Sequence, residues 1–331
     1  VKKGGSNLMT KKNFYFADLF AGIGGMRLAF EKAGGECVLT CEIDSNALKT
    51  YELNFPPKDG HILVRDVLQL EAKDFPKKGT SLGVLVAGFP CQPYSLAGLR
   101  KGLSDDRGGE IFTSLLRLLK TVKPQSFLLE NVKGIKSHDN GKTFQFMLDS
   151  LSSQGYFLRH ATLNSKLHAN IPQNRERVFI VGFRDETASM EFKFPGEVEL
   201  SKTIHDCLET GVVGDDYYYD ERYLVTAEIK KSVTRRDTIY QWRRKYVREN
   251  KGNACPTLTA NMGSGGHNVP LVKDSKGVRK LTPRETANFQ GFPKSFKLPK
   301  IANSHLYHQF GNSVTVKLIE RVANSMAEVL D

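Results

Sequence analysis

The stretch FYFADLFAGIGGMRLAFEKAG, residues 14–34, decides the fold. Residues 14–20 are apolar and extended, residues 21–25 form a turn carrying Gly22, Gly24 and Gly25, and residues 26–34 return to helical spacing with Gly34 as the stop. The glycines permit a tight turn and close backbone approach to a ligand, and the helix that follows offers unpaired N–H groups at its start.

The same alternation continues outward. CVLTCEID (37–44) reads as a strand, NALKTYELNF (46–55) as a helix, HILVRDV (61–67) as a strand and LGVLVAGF (82–89) as a strand covered on both faces. Residues 109–124 are an amphipathic helix ending at proline, 125–132 a strand, 144–155 a helix, and 156–164 and 177–183 two further strands. Strands alternating with helices of this length predict an α/β, Rossmann-like, mostly parallel sheet with helices on both faces. The rhythm breaks near Arg184, and prolines, aromatics and short strands follow to about residue 302 before a helical pattern returns at 314–330. We therefore expect one large domain over 11–188, completed by 303–331, and a smaller mixed, strand-rich domain with a hinge over 189–302.

Lysine and arginine exceed acidic residues to give a net charge of +12, which suits a polyanionic partner. Residues 221–254 hold ten Lys/Arg against four Asp/Glu, either a nucleic-acid-facing surface or a solvated helix with its basic side outward. Five cysteines without a C-x-x-C pair make neither a disulfide framework nor a thiolate zinc site, and no metal is expected. That cysteine usage makes a reducing, cytoplasmic setting the expected one, and no apolar run is long enough to span a membrane. The first ten residues lack the apolar stretch of a signal peptide, and Met9 reads as a natural start behind a foreign leader.

At the glycine turn, Asp18 ends the first strand, and a carboxylate there suits the ammonium of an amino-acid-bearing cofactor better than a pyrophosphate. Glu42, about twenty residues on, is placed for ribose hydroxyls. Asp66 could take an adenine amino group, with Phe20 or Ile43 against the ring. S-adenosyl-L-methionine, NAD or FAD, and a purely structural turn all remain compatible with these residues.

GFPCQPYSLAG (88–98) follows the fourth strand, at the carboxyl edge where parallel sheets bind ligands. Cys91 lies there between two prolines, whereas Cys37, Cys41, Cys207 and Cys255 read as packing residues. Glu130 closes the neighbouring strand, and Arg175 and Arg177 in QNRER (173–177) share one side if the chain is extended. Carbon 5 of a pyrimidine is a poor nucleophile, but thiolate addition at carbon 6 makes it enamine-like. A carboxylic acid at N3 and a guanidinium at O2 would stabilise the charge that develops in the ring.

DLFAGIGG, PCQPYS, ENV, QNRER, LTPRE with QGFP, and GNSV resemble, in order, the motif series of DNA (cytosine-5)-methyltransferases, over nearly all of 14–331 except about 190–250. GLRKGLSDDRGGEIF, FLLENVKG and SHDNG are similar to the small bacterial restriction–modification enzymes of the HhaI type. The resemblance implies Cys91 as nucleophile, Glu130 as the N3 partner, Arg177 at O2 and Arg175 supporting the loop or a phosphate. It implies S-adenosyl-L-methionine as methyl donor, held by Asp18, Phe20, Gly22, Gly24, Glu42, Ile43, Asp66, Val67, Pro90, Asn312 and Ser313. Residues 92–107, with Ser95 and Arg107, match a loop that closes over a flipped cytosine, although Ala97 stands where close relatives place a serine.

Attack at carbon 6 needs approach over the ring face, so the base must leave the stack. Arg235, Arg236, Arg243 and Arg244 are candidates for phosphate contact, with Lys245 beside them. Within PTLTANMGSGGHN (256–268), Thr257, Asn261, Gly265, Gly266 and His267 are candidates for the DNA surface, against the plain reading of a hairpin tip. His305 and His308 read as packing or surface histidines. The expectation is a monomeric enzyme on double-stranded DNA, in the cytoplasm or nucleoid of a bacterium or phage host. A cognate restriction endonuclease would share its site without a stable complex. The rival readings are an RNA (tRNA) cytosine-5 methyltransferase and a catalytically silent DNA-binding homologue.

Overall fold

A computed structural model describes residues 14–75, 82–90, 107–220, 225–243, 245–264 and 268–330, without the side chains of 107 and 108. The calls on Cys91, Ser95, Ala97, Arg244, Gly265, Gly266, His267 and the side chain of Arg107 lie outside the described residues.

The decisive stretch forms β1 (Phe14–Leu19) and α1 (Gly25–Lys32), followed by β2 (Gly35–Cys41), α2 (Ser45–Asn54), β3 (Ile62–Val64) and β4 (Val84–Gly88). Then come α3 (Arg107–Val122), β5 (Ser126–Val132), α4 (Lys142–Ser152), β6 (Phe157–Asn164) and α5 (Ser165–His168). After β7 (Gln173–Asn174) and β8 (Glu176–Phe183) a short α6 (Glu186–Glu191) closes the first region. The seven-stranded sheet has the order β3-β2-β1-β4-β5-β8-β6. Side chains alternate between its faces: Phe16, Val84, Val86 and Leu128 enter one buried cluster with α1 and α2, while Ala17, Leu85, Ala87, Phe127 and Leu129 enter the other with α3 and α4.

β1 to β5 pair in parallel, but β8 runs antiparallel to both β5 and β6. That reversal brings the start of β8 to the edge where β5 ends. In a parallel β8, the arginines at its beginning would lie at the far edge.

The second region contains α7 (Thr226–Ser232), β9 (Ile239–Arg243), β10 (Tyr246–Asn250), β11 (Cys255–Pro256), β12 (Leu271–Lys273) and β13 (Val278–Lys280). Four of these strands form a sheet ordered β10-β9-β12-β13, and β11 pairs with β7. α8 (Pro283–Phe289) starts with Thr282 and Glu285 in a capping box and Pro283 at its first turn. Phe289 packs with the second sheet's cluster, whereas Ala287, Phe292 and Phe296 pack with the first, so this segment joins the two. α9 (Asn303–Asn312) and α10 (Val316–Val329) return to the large sheet, with Val316, Leu318, Ile319, Val322 and Met326 completing its first cluster. Glu285 forms a buried bidentate pair with Arg279, both bonds 2.8 Å, rather than with its neighbour Arg284. Among the described residues no helix is long and apolar enough to cross a membrane.

Candidate active site

The turn after β1 is held in an unusual conformation by its neighbours. Phe20 has φ of 57°, a region that bulky side chains rarely adopt, followed by Gly22 at 56° and Gly24 at 85°. Two bonds fix it: Ala21 N–H donates to the Cys41 carbonyl at 3.1 Å, and Gly22 N–H donates to Oε2 of Glu42 at 2.7 Å. A side chain at Gly24 would be strained at that φ and would force Phe55 to move, because a Cβ would lie 2.2 Å from its ring. Glu42 also accepts from Asp44 N–H at 2.7 Å, and its carboxyl pKa is raised by burial, offset in part by those backbone donors.

Phe20, Gly22, Glu42 and Ile43 line one wall of a cavity of about 400 Å³, within the usual size of a small-ligand site. The opposite wall is Gly88, Pro90, Glu130, Arg175 and Arg177, and Asn312 and Ser313 close it from the end of α9. Glu130 and Arg177 meet directly, Nε to Oε1 at 3.1 Å, with both side chains largely buried. This contact follows from the antiparallel register, which sets Val132 opposite Arg177 and Phe179 opposite Glu130. Asn131 donates to the Phe89 carbonyl at 3.2 Å and so pins the backbone that enters residue 91. Asn131 went unnoticed beside its acidic neighbour, although ENV carried the signal.

Arg175 behaves differently from Arg177. It lies just before β8 and its guanidinium donates to three backbone carbonyls: Leu258 at 2.7 Å, Gly311 at 3.3 Å and Ser313 at 2.6 Å. It is 2% exposed, and burial together with the Arg177 charge lowers its pKa to about 9, with Glu130 acting the other way. Such a group ties the second region to the loop after α9, which favours loop support over phosphate contact. Gly311 allows the same junction, since a Cβ there would lie 2.1 Å from the Thr259 carbonyl oxygen.

Several expected residues lie elsewhere. Asp18 is 1% exposed and sits beneath the turn, outside the cavity lining. Neither of its carboxylate oxygens has a hydrogen-bond partner of normal geometry, and burial pushes its pKa to about 8, with the Arg27 charge and backbone N–H offsetting only part. Direct contact with a ligand ammonium is therefore not offered by this arrangement. Gly24 caps α1, and Asp66 caps the 3₁₀ turn Val67–Gln69 by accepting from Leu68 N–H at 3.1 Å. None of Gly24, Asp66 and Val67 lines the cavity.

Conversely, His308 and Gln309 line it. His308 bonds the Ala260 carbonyl through Nδ1 at 2.9 Å and Asn312 through Nε2 at 3.0 Å, so it is more than a packing histidine. Gln309 links α9 to α2 through Thr50 at 2.7 Å and the Asn46 carbonyl at 2.8 Å. The sequence reading of His308 as a packing or surface histidine fits its exposed position, but not its place in the cavity lining. Cys37, Cys41, Cys207 and Cys255 are free and buried.

In the second region, Arg235 is taken up by Asp237 in a bidentate pair at 2.9 and 2.6 Å and lies 3.5 Å from Glu249. Arg236, Arg243 and Lys245 are exposed. Thr257 donates to the Asn174 carbonyl at 2.6 Å, and Asn261 accepts from Thr259 at 2.5 Å. A hollow of about 570 Å³ also lies against β6, lined by Phe157, His160 and Met190, and it shares no lining residue with the cavity that holds the acid and arginines.

The family profile described as C-5 cytosine-specific DNA methylase matches residues 14–328. Type II methyltransferase M.Bsp6I of Bacillus sp. (strain RFL6) is 48% identical over 94% of this chain and 97% of its own length. Type II methyltransferase M.HpaII of Haemophilus parainfluenzae is 35% identical over 98% and 92%. Among solved structures, S. pombe Dnmt2 methyltransferase superposes with a TM-score of 0.71 at 21% identity, covering 96% of this chain and 99% of that one. Entamoeba histolytica methyltransferase EhMeth gives 0.70 at 19%, covering 96% and 98%, and both likenesses bear on the fold alone. With nearly the whole chain matched, and with long, well-aligned relatives of one kind, the protein belongs to the C-5 cytosine-specific DNA methylase family.

Proposed function

We propose that this DNA cytosine-5 methyltransferase acts on a cytosine flipped out of a specific short duplex sequence, with S-adenosyl-L-methionine as donor and Cys91 as nucleophile. The observation that carries the reading is the Glu130–Arg177 pair at 3.1 Å in a cavity whose rim includes Pro90, the residue before Cys91. The cavity fits the donor's chemistry. Phe20 and Ile43 offer apolar faces to a purine, the buried Glu42 carboxylate in the cavity lining offers acceptors to a ribose, and the glycine turn admits a backbone approach. When bound, S-adenosyl-L-methionine supplies an electrophilic methyl group.

The chain's residues make the cytosine able to take it. The Cys91 thiolate bonds to C6, and the electron pair of the C5=C6 bond shifts into the ring toward N3 and O2. Glu130 holds a proton at N3 and Arg177 donates to O2, so the charge is met by donors already fixed to one another. C5 then takes the methyl group, leaving S-adenosyl-L-homocysteine; the C5 proton passes to solvent water, the C–H electron pair re-forms C5=C6, and the S–C6 bond breaks to regenerate the thiolate. Residues 11–188 with 303–331 act as the catalytic unit, and 189–302 as the target-recognition unit of a monomer. A restriction endonuclease of the same specificity fits this role without a stable complex, in the cytoplasm or nucleoid.

The test is duplex DNA carrying 5-fluorocytosine, whose C5 cannot release a proton. Wild type should form a denaturation-resistant complex through Cys91, and Cys91→Ala should form none. A Cys91→Ala protein that turns over like wild type would exclude the mechanism. Methyl incorporation into tRNA but not duplex DNA would replace the substrate assignment.

A further inference from the structure

One face of the β9–β10 hairpin has no role in the chemistry above. The register sets Gln241 opposite Arg248, Arg243 opposite Tyr246 and Ile239 opposite Asn250, so these residues share a face. Ile239 roots it in one buried cluster, while Tyr240 on the opposite face belongs to another, with Trp242 and Val247 packed against it. Beyond Ile239 the face turns polar and lines a groove of about 710 Å³ with Lys166, Asn174 and Thr257. Arg243, Arg248, Lys166 and Lys251 make the groove basic, and the one carboxylate that lines it among the described residues, Glu249, lies 3.5 Å from Arg235.

Arg248 is held before any ligand arrives. Its Nη2 donates to Oε1 of Gln241 at 3.3 Å and to Oδ1 of Asn250 at 3.1 Å. Its other guanidinium nitrogens have no partner among the described residues. An exposed arginine fixed by two neutral carboxamides keeps its full charge and loses little freedom on binding, unlike Arg235, which is neutralised by Asp237. The groove also adjoins the cavity: Asn174 lines the first and Arg175, the next residue, lines the second. A duplex seated in this groove would therefore lie beside the mouth through which an extruded base enters.

We infer that the groove seats the recognised base pairs and that Arg248, oriented by Gln241 and Asn250, reads a guanine there. Guanine presents two acceptors, O6 and N7, on its major-groove edge, and a planar guanidinium meets both at once where an ammonium cannot. The inference rests on the DNA reading above, and names which face of the second sheet confers specificity.

The experiment maps methyl marks left by the full chain on mixed-sequence duplex DNA, comparing wild type with Arg248→Lys, Arg248→Ala and Arg235→Ala. Preferences are taken as ratios within each protein, so a change in total rate does not enter. Wild type should mark a site with a fixed guanine, and both Arg248 variants should lose preference at that one position by roughly tenfold or more. Arg235→Ala, on the other face, should keep the wild-type pattern. Arg248→Lys keeps the charge, so an unchanged preference in that variant means a phosphate contact at most and overturns the inference. An Arg235→Ala variant that relaxes the same position overturns the choice of face. If wild type marks no duplex DNA at all, the reading of the catalytic site fails first and this one falls with it.

Discussion

At the scale of single residues, two buried carboxyl groups have different consequences, one in the cavity and one beneath the turn. In the proposed mechanism Glu130 holds a proton at a base nitrogen, and its orientation is fixed by Arg177 at 3.1 Å. Glu130→Gln keeps the size and an acceptor but removes the acid, and we expect kcat to fall by about 10² or more while the thermal melt still shows a folded chain. Methyl incorporation within a few-fold of wild type would remove Glu130 from the mechanism. Asp18 has a different consequence. Its pKa stands at about 8 in the folded protein against 3.8 for a free side chain, so between those values the folded state holds a proton that the unfolded state has lost. Stability from this group is full below about pH 4 and declines as pH rises toward about 8. Asp18→Asn should remove that slope and leave the variant more stable than wild type at pH 8, with the difference shrinking toward pH 4. Urea unfolding across this range measures it, and parallel curves for the two proteins would contradict the assignment.

At the scale of elements, the junction between the last turn of α9 and the second region has almost no clearance. A methyl at Gly311 would meet the Thr259 carbonyl oxygen at 2.1 Å, and backbone cannot yield as a side-chain tip can. Gly311→Ala should cost about 1–3 kcal/mol of stability and displace Asn312 and Ser313 in the cavity wall, raising KM for the methyl donor. An unaltered melt and KM would mean that the two segments are not so closely seated. The elements themselves were largely legible in the sequence. β1, β2, β4 and β5 are apolar runs closed by turn residues, and a buried strand leaves that trace whatever its neighbours. The direction of β8 was not legible, because apolar content is the same read either way. Yet that reversal places Arg177 beside Glu130. For the site, Glu130 and Glu42 stood out as acidic residues closing apolar strands. His308 and Gln309 did not, because a polar residue within a helix gives no sign that its side faces a cavity. Charge counts likewise show an excess around Arg235 but not that Asp237, two residues on, pairs with this cation.

At the scale of the whole molecule, the large sheet is a core closed by a helix about 130 residues beyond its last strand. Val316, Leu318, Ile319, Val322 and Met326 of α10 enter the same cluster as Phe16, Phe30 and Val84. At about 2 kcal/mol for each large side chain buried, α10 contributes on the order of 10 kcal/mol before entropy is counted. Whole domains are stable by only about 5–15 kcal/mol, so the sheet depends on that helix. The second region is tied to the same return: the Arg175 clamp reaches Gly311 and Ser313, and His308 reaches Ala260. Removing residues 314–331 should therefore abolish cooperative unfolding, not merely lower its midpoint, and should remove the cavity together with methyl transfer. Circular dichroism melts test this, and supplying α10 as a separate peptide should restore part of the transition if packing alone is missing. A shortened chain that melts cooperatively near the wild-type temperature would show that the first cluster closes without α10.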